Sequence, residues 1–404
     1  MTDDFALATR ATPLAPIIAE EIRGAGAITF ARFMAVALGH PEHGYYARVG
    51  FAWGADGDFE TSPEVHPVFG YLWARQVEEC WERLSRPAPF QLVEVGAGSG
   101  AFAAAMLTWL RERAPECFAA TRAVLLDAHP RRIDDQRARL RAAGIEAEHA
   151  LASEWLSGGE PVTGAIISNE CFDALPVHIV ERRGEALHEW HVALDAGGGF
   201  VFELREASTP ALAAYFEALG VQPGDSSRAE VSLDAPGLMR ALAGRLARGY
   251  IVNIDYGHEA AALYASWRRM GTLMAFRGHS PQPDPLTAPG LTDLTAHVDL
   301  TTLARVAEAA GCAVAPPVSQ AEALAALGIG ETLEAVRARA ATDLAAYANA
   351  RRAVETLLDP TELGRVRVLV ASKDAPLDLR CLTPLASAAL PIVLASARKA
   401  TGSG

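Results

Sequence analysis

A glycine-rich segment, Glu94-Val95-Gly96-Ala97-Gly98-Ser99-Gly100, follows a short apolar run and precedes a stretch with helical periodicity. Gly96, Gly98 and Gly100 allow a tight turn and a close approach to a ligand, because glycine accepts positive φ and has no Cβ. The helix behind the loop offers free N–H groups and a positive dipole end. Such a loop can hold either a dinucleotide pyrophosphate or the methionine carboxylate and ribose of S-adenosylmethionine.

The loop alone leaves three interpretations open. With Ala101 it satisfies the dinucleotide pattern G-x-G-x-x-G/A, and it could also be a purely structural turn. Two features favour S-adenosylmethionine. Glu94 lies two residues before the first glycine, where its carboxylate can pair with the amino group of the methionine moiety, and the third glycine falls at position 100 rather than 101.

Asp127 ends the next strand-like run, Val124-Leu125-Leu126-Asp127. A carboxylate at this position can accept hydrogen bonds from both ribose hydroxyls, as in dinucleotide-binding folds. The alternative is a helix cap, since Ala128-His129-Pro130 and a helical stretch follow. We expect Asp127 to bind the ribose.

Asn169, Glu170 and Asp173 follow a third buried run, Ala165-Ile166-Ile167-Ser168. Polar groups at the carboxyl ends of parallel strands point into the ligand crevice, so these residues are candidates for substrate contact, although Asn and Asp also stabilise ordinary turns. Methyl transfer needs an aligned nucleophile and an acceptor for its proton. If the nucleophile is a guanidinium, carboxylates must orient and polarise it, which Glu170 and Asp173 could do.

From Gln91 onward short apolar runs alternate with amphipathic helices, which predicts an α/β fold with a parallel sheet covered by helices. We predict four parts of the chain. They are a helical N-terminal cap region at 1–90, a core at 91–176 and 250–372 with an insertion at 257–360, an inserted β-rich and helical substrate segment at 177–249, and a C-terminal tail at 373–404.

The composition narrows the possible partners. The 404 residues carry a formal net charge of −13, which argues against nucleic acid and membrane surfaces because both repel negative charge. The five cysteines form no CxxC pair and no zinc-ligand spacing, so we expect no metal. The acidic N-terminus and the short apolar stretch 385–397, interrupted by Pro391, lead us to expect a cytoplasmic protein. Nothing in the sequence indicates the oligomeric state.

Several ordered motifs resemble the MidA family of S-adenosylmethionine-dependent methyltransferases, which includes the mitochondrial complex I assembly-factor methyltransferase. They run over about 250 residues and are more specific than any single glycine loop. In addition to that loop they are Gly44-Tyr45-Tyr46, Gly57-Asp58-Phe59, Thr61-Ser62-Pro63-Glu64, Phe69-Gly70, Asn169-Glu170, Phe172-Asp173-Ala174-Leu175-Pro176, Ile254-Asp255-Tyr256-Gly257, Gly271-Thr272-Leu273, His279 and Asp293-Leu294-Thr295-Ala296-His297-Val298-Asp299.

The resemblance implies a class I, Rossmann-like methyltransferase fold and methylation of a protein arginine. It places Gly57, Asp58, Thr61, Pro63 and Glu64 over the cofactor, and lines the remaining cleft with Asp255, Tyr256, His279, His297 and Asp299. We therefore add His297 to Glu170 and Asp173 as a catalytic candidate. Without the resemblance, His297 could be a core histidine and Asp299 the N-cap of a helix beginning near Thr301.

The chain departs from the family pattern at several positions. Ser99 stands where the family commonly has an arginine, and Asp127 where it usually has a glutamate. The first change could alter substrate choice, and the second keeps the carboxylate. Two other classes of function stay open at this point: an assembly or scaffold factor that binds cofactor without turnover, and a nucleotide-dependent oxidoreductase.

Overall fold

The computed structural model describes residues 12–48, 61–278, 280–337 and 344–383. The chain forms two compact units, each assembled from three segments. The first unit comprises Met1–Phe59, Cys171–Arg240 and Tyr256–Val306, and the second comprises Glu60–Glu170, Ala241–Asp255 and Ala307–Gly404. The predicted residues Gly57, Asp58 and His279 and the apolar stretch 385–397 lie outside the described residues.

The helices of the described residues are mostly amphipathic or buried segments of four to 16 residues. They are α1 (Ala15–Ala25), α2 (Phe30–Gly39), α3 (Ser62–Val65), α4 (Val68–Arg83), α5 (Ala101–Arg113), α6 (Pro115–Ala120), α7 (Pro130–Ala142), α8 (Ala152–Leu156), α9 (Ala211–Leu219), α10 (Ala235–Arg245), α11 (Ala260–Leu263), α12 (Leu300–Ala309), α13 (Gln320–Ala326), α14 (Ile329–Arg337) and α15 (Leu344–Leu358). Short 3-10 helices span Tyr45–Ala47, Leu363–Arg365 and Arg380–Leu382.

The strands range from two residues to ten. They are β1 (Ile28–Thr29), β2 (Phe90–Val95), β3 (Thr121–Asp127), β4 (Glu148–Leu151), β5 (Val162–Asn169), β6 (His178–Arg183), β7 (Ala186–Leu194), β8 (Phe200–Glu206), β9 (Arg228–Val231), β10 (Leu246–Asp255), β11 (Gly257–His258), β12 (Met274–Arg277), β13 (Ser280–Pro281), β14 (Asp293–Thr295), β15 (Val298–Asp299), β16 (Ala313–Val314), β17 (Val318–Ser319) and β18 (Arg367–Lys373).

The second unit is built on one sheet with the order β16-β18-β10-β5-β2-β3-β4, in which β17 also pairs with β18. Strands β2, β3, β4, β5 and β10 are parallel, and β18 runs antiparallel to β10. From β2 the chain first proceeds to β3 and β4 on one side and then to β5 and β10 on the other. The carboxyl ends of β2 and β5 therefore flank the point where the strand order reverses, which is where ligands bind in such sheets. The predicted α/β, Rossmann-like fold is confirmed.

Two glycines let the central strands approach each other. In the register, Gly164 of β5 faces Gln91 of β2, and Gly249 of β10 faces Gly164. A Cβ at Gly164 would lie 2.0 Å from the Gln91 carbonyl oxygen, and one at Gly249 would lie 1.9 Å from the Gly164 carbonyl oxygen. Only glycine fits these two positions without a shift of the backbone.

Helix α4 packs closely on α5 inside the second unit. A Cβ on Gly70 would lie 2.4 Å from the Cβ of Ala105, and the ring of Phe69 lies 5.1 Å from that of Phe102. Helix α4 lies within the region 1–90, which the sequence predicts to be helical. The predicted N-terminal region 1–90, however, is divided between the units, because this apolar contact joins 61–90 to the sheet.

The first unit contains a five-stranded antiparallel sheet with the order β1-β7-β6-β9, in which β8 pairs with β7. Helices α1 and α2 pack on this sheet through a cluster that includes Phe30, Phe33 and Val192. Small sheets β13-β12-β14 and β11-β15 complete the unit. None of the described helices is both long enough and apolar enough to span a bilayer.

Candidate functional site

The glycine loop has the backbone that its sequence predicts. Gly96, Gly98 and Gly100 adopt φ values of 71°, 53° and 78°. A Cβ on Gly100 would lie 3.2 Å from the Cα of Gln136, so both conformation and space favour glycine there. The N–H groups of Gly96 and Ala97 donate to the Leu126 carbonyl at 2.9 and 3.0 Å, which fixes the loop against β3.

Glu94 lies on β2 directly before this loop and is only 4% exposed. Burial raises the pKa of its carboxyl to about 8, a backbone hydrogen bond from Ala103 opposes this shift, and the charge of Asp127 adds to it. Its Oε2 atom is buried without a hydrogen-bond partner. A buried acceptor left unpaired is unfavourable, so the site fits a ligand that brings a positive donor such as an ammonium group.

Asp127 is buried at the end of β3, and its carboxylate is hydrogen-bonded to the glycine loop that follows the neighbouring strand β2. Its Oδ2 accepts from the Gly98 N–H at 3.1 Å and from Gln136 Nε2 at 3.2 Å, and its Oδ1 accepts from the His129 N–H at 3.1 Å. Burial raises the pKa of Asp127 to about 6 against the opposing effect of these backbone hydrogen bonds. The N-cap of α7 is His129, so the alternative in which Asp127 itself caps that helix is wrong.

Gln136 is a site residue that the sequence does not reveal. It is fully buried on α7, and its Nε2 reaches both the Gly98 carbonyl at 3.3 Å and the Asp127 carboxylate. Its Oε1 pairs with His149 Nδ1 at 3.2 Å. Because arginines surround Gln136 in the sequence, α7 is predicted to be exposed to solvent. Nothing in the neighbouring residues distinguishes this glutamine as part of a site.

Asn169 is the last residue of β5, the strand next to β2 in the sheet, and Glu170 follows it directly. The Glu170 backbone has φ of 47°, a conformation that side-chain-bearing residues rarely adopt and that often marks functional sites. Its N–H donates to the Ile254 carbonyl at 2.8 Å. Its Oε1 accepts from Asn169 Nδ2 at 3.1 Å, while Asn169 Oδ1 is buried without a partner.

The short helix α3 contacts both the carboxylate of Glu170 and the glycine loop. The Ser62 N–H donates to Glu170 Oε1 at 3.1 Å, and Glu64 accepts a short hydrogen bond from the Ser99 hydroxyl. Thr61 occupies the N-cap position and Pro63 lies in the first turn, both half-buried. Of the residues predicted to lie over the cofactor, the structure describes these two and Glu64.

In the first unit, the ring of His297 lies beside the rings of Tyr256 and His258, and Asp173 is bonded to the same segment through its backbone. The Asp173 carbonyl accepts from the Ala296 N–H at 3.0 Å, and Asp173 is 5% exposed. The half-buried ring of His297 stacks on Tyr256 at 6.0 Å and lies 5.1 Å from His258. The imidazoles of His297 and His258 and the phenol ring of Tyr256 thus lie near one another, which is chemistry suited to proton transfer.

Asp299 has the structural role that its sequence position predicts. Its Oδ1 accepts from the N–H groups of Thr301 and Thr302 at 2.9 and 3.2 Å, at the start of α12. Its Oδ2 accepts from Tyr215 and from the Thr302 hydroxyl, both at 2.7 Å. The N-cap prediction is confirmed, and four donors occupy this carboxylate.

The model of a family of S-adenosyl-L-methionine-dependent methyltransferases matches residues 72–318, which is more than half of the chain. The chain belongs to the MidA family. It is a methyltransferase with S-adenosylmethionine as its cofactor, so the oxidoreductase alternative is wrong. The positive-φ loop, the unpaired Oε2 of Glu94 and the buried carboxylate of Asp127 fit that cofactor.

Several relatives and one solved structure are similar to this protein over most of its chain. The mitochondrial protein arginine methyltransferase NDUFAF7 of Mus musculus is 28% identical over 383 residues, covering 87% of this chain and 82% of its own. Its Drosophila melanogaster homolog is 29% identical over 376 residues, covering 87% and 82%. A crystal structure of a Burkholderia thailandensis protein bound to S-adenosyl-homocysteine has 30% identity and a TM-score of 0.82, covering 91% of this chain and 94% of that one.

The relatives correct one prediction. We expected a cytoplasmic protein, but the relatives from mouse and fly are named as mitochondrial proteins. Our expectation is contradicted because it depended on the acidic first residues and on the short apolar stretch 385–397, and neither determines the compartment in which a protein works.

Proposed function

We propose that this methyltransferase transfers its methyl group to an arginine side chain of a protein. Relatives similar over most of the chain carry that activity in their names. The observation that carries the proposal is Glu170, a carboxylate held by Ser62 and Asn169 at the strained end of the strand beside the glycine loop. Carboxylates are the groups that recognise a guanidinium.

The proposed roles follow from the chemistry of the substrate. When bound, S-adenosylmethionine supplies an electrophilic methyl group. A guanidinium has a pKa above about 12 and five N–H donors, so it must be oriented and polarised by a carboxylate before it can act as a nucleophile. We assign that role to Glu170, with Asp173 as the second carboxylate and His297 as the group that takes up the released proton.

The cofactor residues are assigned in the same way. Glu94 pairs with the amino group of the methionine moiety, and Asp127 accepts from the ribose hydroxyls. Gly96, Gly98 and Gly100 bring the backbone close to the ligand, Asn169 supplies its unpaired amide oxygen, and Thr61 and Pro63 cover the site. The predicted contributions of Gly57 and Asp58 concern residues that the structure does not describe.

The test is transfer of a labelled methyl group from S-adenosylmethionine to protein, followed by mass spectrometry of the modified residue. We expect methylarginine with the wild-type enzyme and none with Glu170→Gln, which should still bind S-adenosylhomocysteine in calorimetry. Label on another residue type would contradict the proposed substrate. Cofactor binding without any transfer would favour the alternative of an assembly or scaffold factor.

A further inference from the structure

Three side chains from different parts of the second unit meet beside the glycine loop. The Ser99 hydroxyl of the loop donates to Glu64 Oε1, and Arg139 Nη1 of α7 lies 3.4 Å from Glu64 Oε2. The side chain of Glu64 is 11% exposed and that of Arg139 is 40% exposed. Glu64 is therefore held at both carboxylate oxygens, by the loop on one side and by a helix on the other.

The hydrogen bonds of Ser99 show how this contact depends on the loop. Its oxygen accepts from the Ala101 N–H at 3.2 Å at the start of α5, and its hydroxyl proton goes to Glu64. A hydroxyl has only one proton to donate, so Ser99 links the first turn of α5 directly to α3. Ser99 is 6% exposed, and buried hydrogen bonds of this type are stronger than those in water.

The same helix α3 also contacts the proposed catalytic carboxylate. Two residues before Glu64, the Ser62 N–H donates to Glu170 Oε1 at 3.1 Å. The Ser62 hydroxyl donates to Gln320 Oε1 at 3.1 Å, which places α3 from a second direction. Displacement of α3 would therefore change the hydrogen bonding of Glu170.

We propose that Arg139, Glu64 and Ser99 are positioning residues that hold α3 where Ser62 can orient Glu170. The inference rests on the proposed role of Glu170. None of the three needs to touch the substrate, because their effect reaches Glu170 through the backbone N–H of Ser62. Arg139 contributes charge, Ser99 contributes a link to the cofactor loop, and Glu64 joins them.

Kinetics of charge-removing variants test the proposal. An ion pair exposed to this extent is worth about 0.2–1 kcal/mol, so Arg139→Gln should lower kcat by a factor of about 1.4 to 5. The affinity for S-adenosylhomocysteine and the thermal midpoint should stay unchanged. Arg139→Lys should restore most of the rate because it keeps the charge. The double variant Arg139→Gln with Glu64→Gln should be no slower than Glu64→Gln alone, because the two side chains act through one contact.

Arg122→Gln is the matched control. Arg122 forms an ion pair with Glu148 at 2.5 Å in the same unit, with the two side chains 47% and 54% exposed, and its loss should leave kcat unchanged. Equal rates for wild type and Arg139→Gln, or no rescue by lysine, would overturn the inference. Full turnover by Glu170→Gln would contradict the proposed role of Glu170 itself. That outcome is measured on a different variant, so it can be distinguished from a failure of the positioning role.

Discussion

Glu94 is a buried acid whose charge depends on the ligand. Its pKa of about 8 means that most molecules carry it protonated at pH 7 when no cation faces it. An ammonium group beside the carboxyl favours the ionised form and lowers that pKa. Binding of the methyl donor and of its product should therefore be linked to release of a proton.

We predict that S-adenosylhomocysteine binding at pH 7 releases close to one proton. We also predict that the affinity rises between pH 6 and pH 8, because fewer protons then compete with the ligand for the Glu94 carboxylate. Glu94→Gln should release none and bind about tenfold more weakly or worse, since hydrogen bonds to charged groups are worth about 1.5–3 kcal/mol. Calorimetry in buffers of different ionisation enthalpy measures both. Glu82→Gln, at an exposed position, is the control, and equal proton release in Glu94→Gln would refute the assignment.

Asp127 should affect stability as well as binding. Asp127→Ala removes the acceptor of the Gly98 and His129 N–H groups and of Gln136. We expect weaker S-adenosylhomocysteine binding and a loss of about 1–3 kcal/mol in the free energy of unfolding, because buried donors lose their partner. Urea denaturation measures the stability, with the exposed Asp134→Ala as control. Unchanged stability would show that water replaces the carboxylate.

The residues that the sequence identifies are those with a local signature. Glu94 and the glycines lie within seven consecutive positions, and Asp127 ends an apolar run, so strand and loop patterns suffice to find them. Gln136, Arg139 and Ser99 act through contacts with residues that lie 38, 75 and 35 positions away in the chain. No periodicity encodes such contacts, and only the fold brings these side chains together.

At the scale of strands and helices, the central sheet depends on glycines where strands pass closely. Gly249→Ala would place a Cβ 1.9 Å from the Gly164 carbonyl oxygen at φ of 135°. We predict a loss of about 2–5 kcal/mol in the free energy of unfolding, from overpacking and backbone strain together.

Gly244→Ala is the matched control for that change. Gly244 lies in α10, and a Cβ there meets nothing within 4 Å. Alanine should stabilise the helix by about 0.5–1 kcal/mol. Chemical denaturation of both variants gives the comparison, and similar effects at the two positions would contradict the close approach of β10 to β5.

Long strands and helices are predictable here, and very short ones are not. The sequence indicates β2, β3 and β5, and α5 follows the glycine loop, where the sequence shows helical periodicity. The two-residue strand β1 lies in the region predicted to be helical, and β12 to β14 lie in the insertion predicted at 257–360, for which the sequence indicates no strands. Strands of two to four residues are too short to display a period of two, and their pairing depends on partners far along the chain.

For the whole molecule, ligand selectivity is the simplest test of the cofactor. S-adenosylhomocysteine at 100 times its Kd should add about 2.7 kcal/mol to the free energy of unfolding, whereas NADH at the same concentration should add none. Differential scanning fluorimetry should show a rise of several degrees with the first ligand only. A comparable rise with NADH would contradict the specificity expected from Glu94, because a pyrophosphate brings no cation to that carboxyl.

The antiparallel pairing of β18 with β10 also has a consequence for biosynthesis. When the ribosome has made Asp255, every parallel strand of the sheet exists, but the outer side of β10 stays open until Arg367–Lys373 emerges. An unpaired strand edge can recruit another chain. At ordinary elongation rates the nascent polypeptide carries this open edge for several seconds, which makes it a natural place for a chaperone to act and makes truncation before Arg367 a route to aggregation.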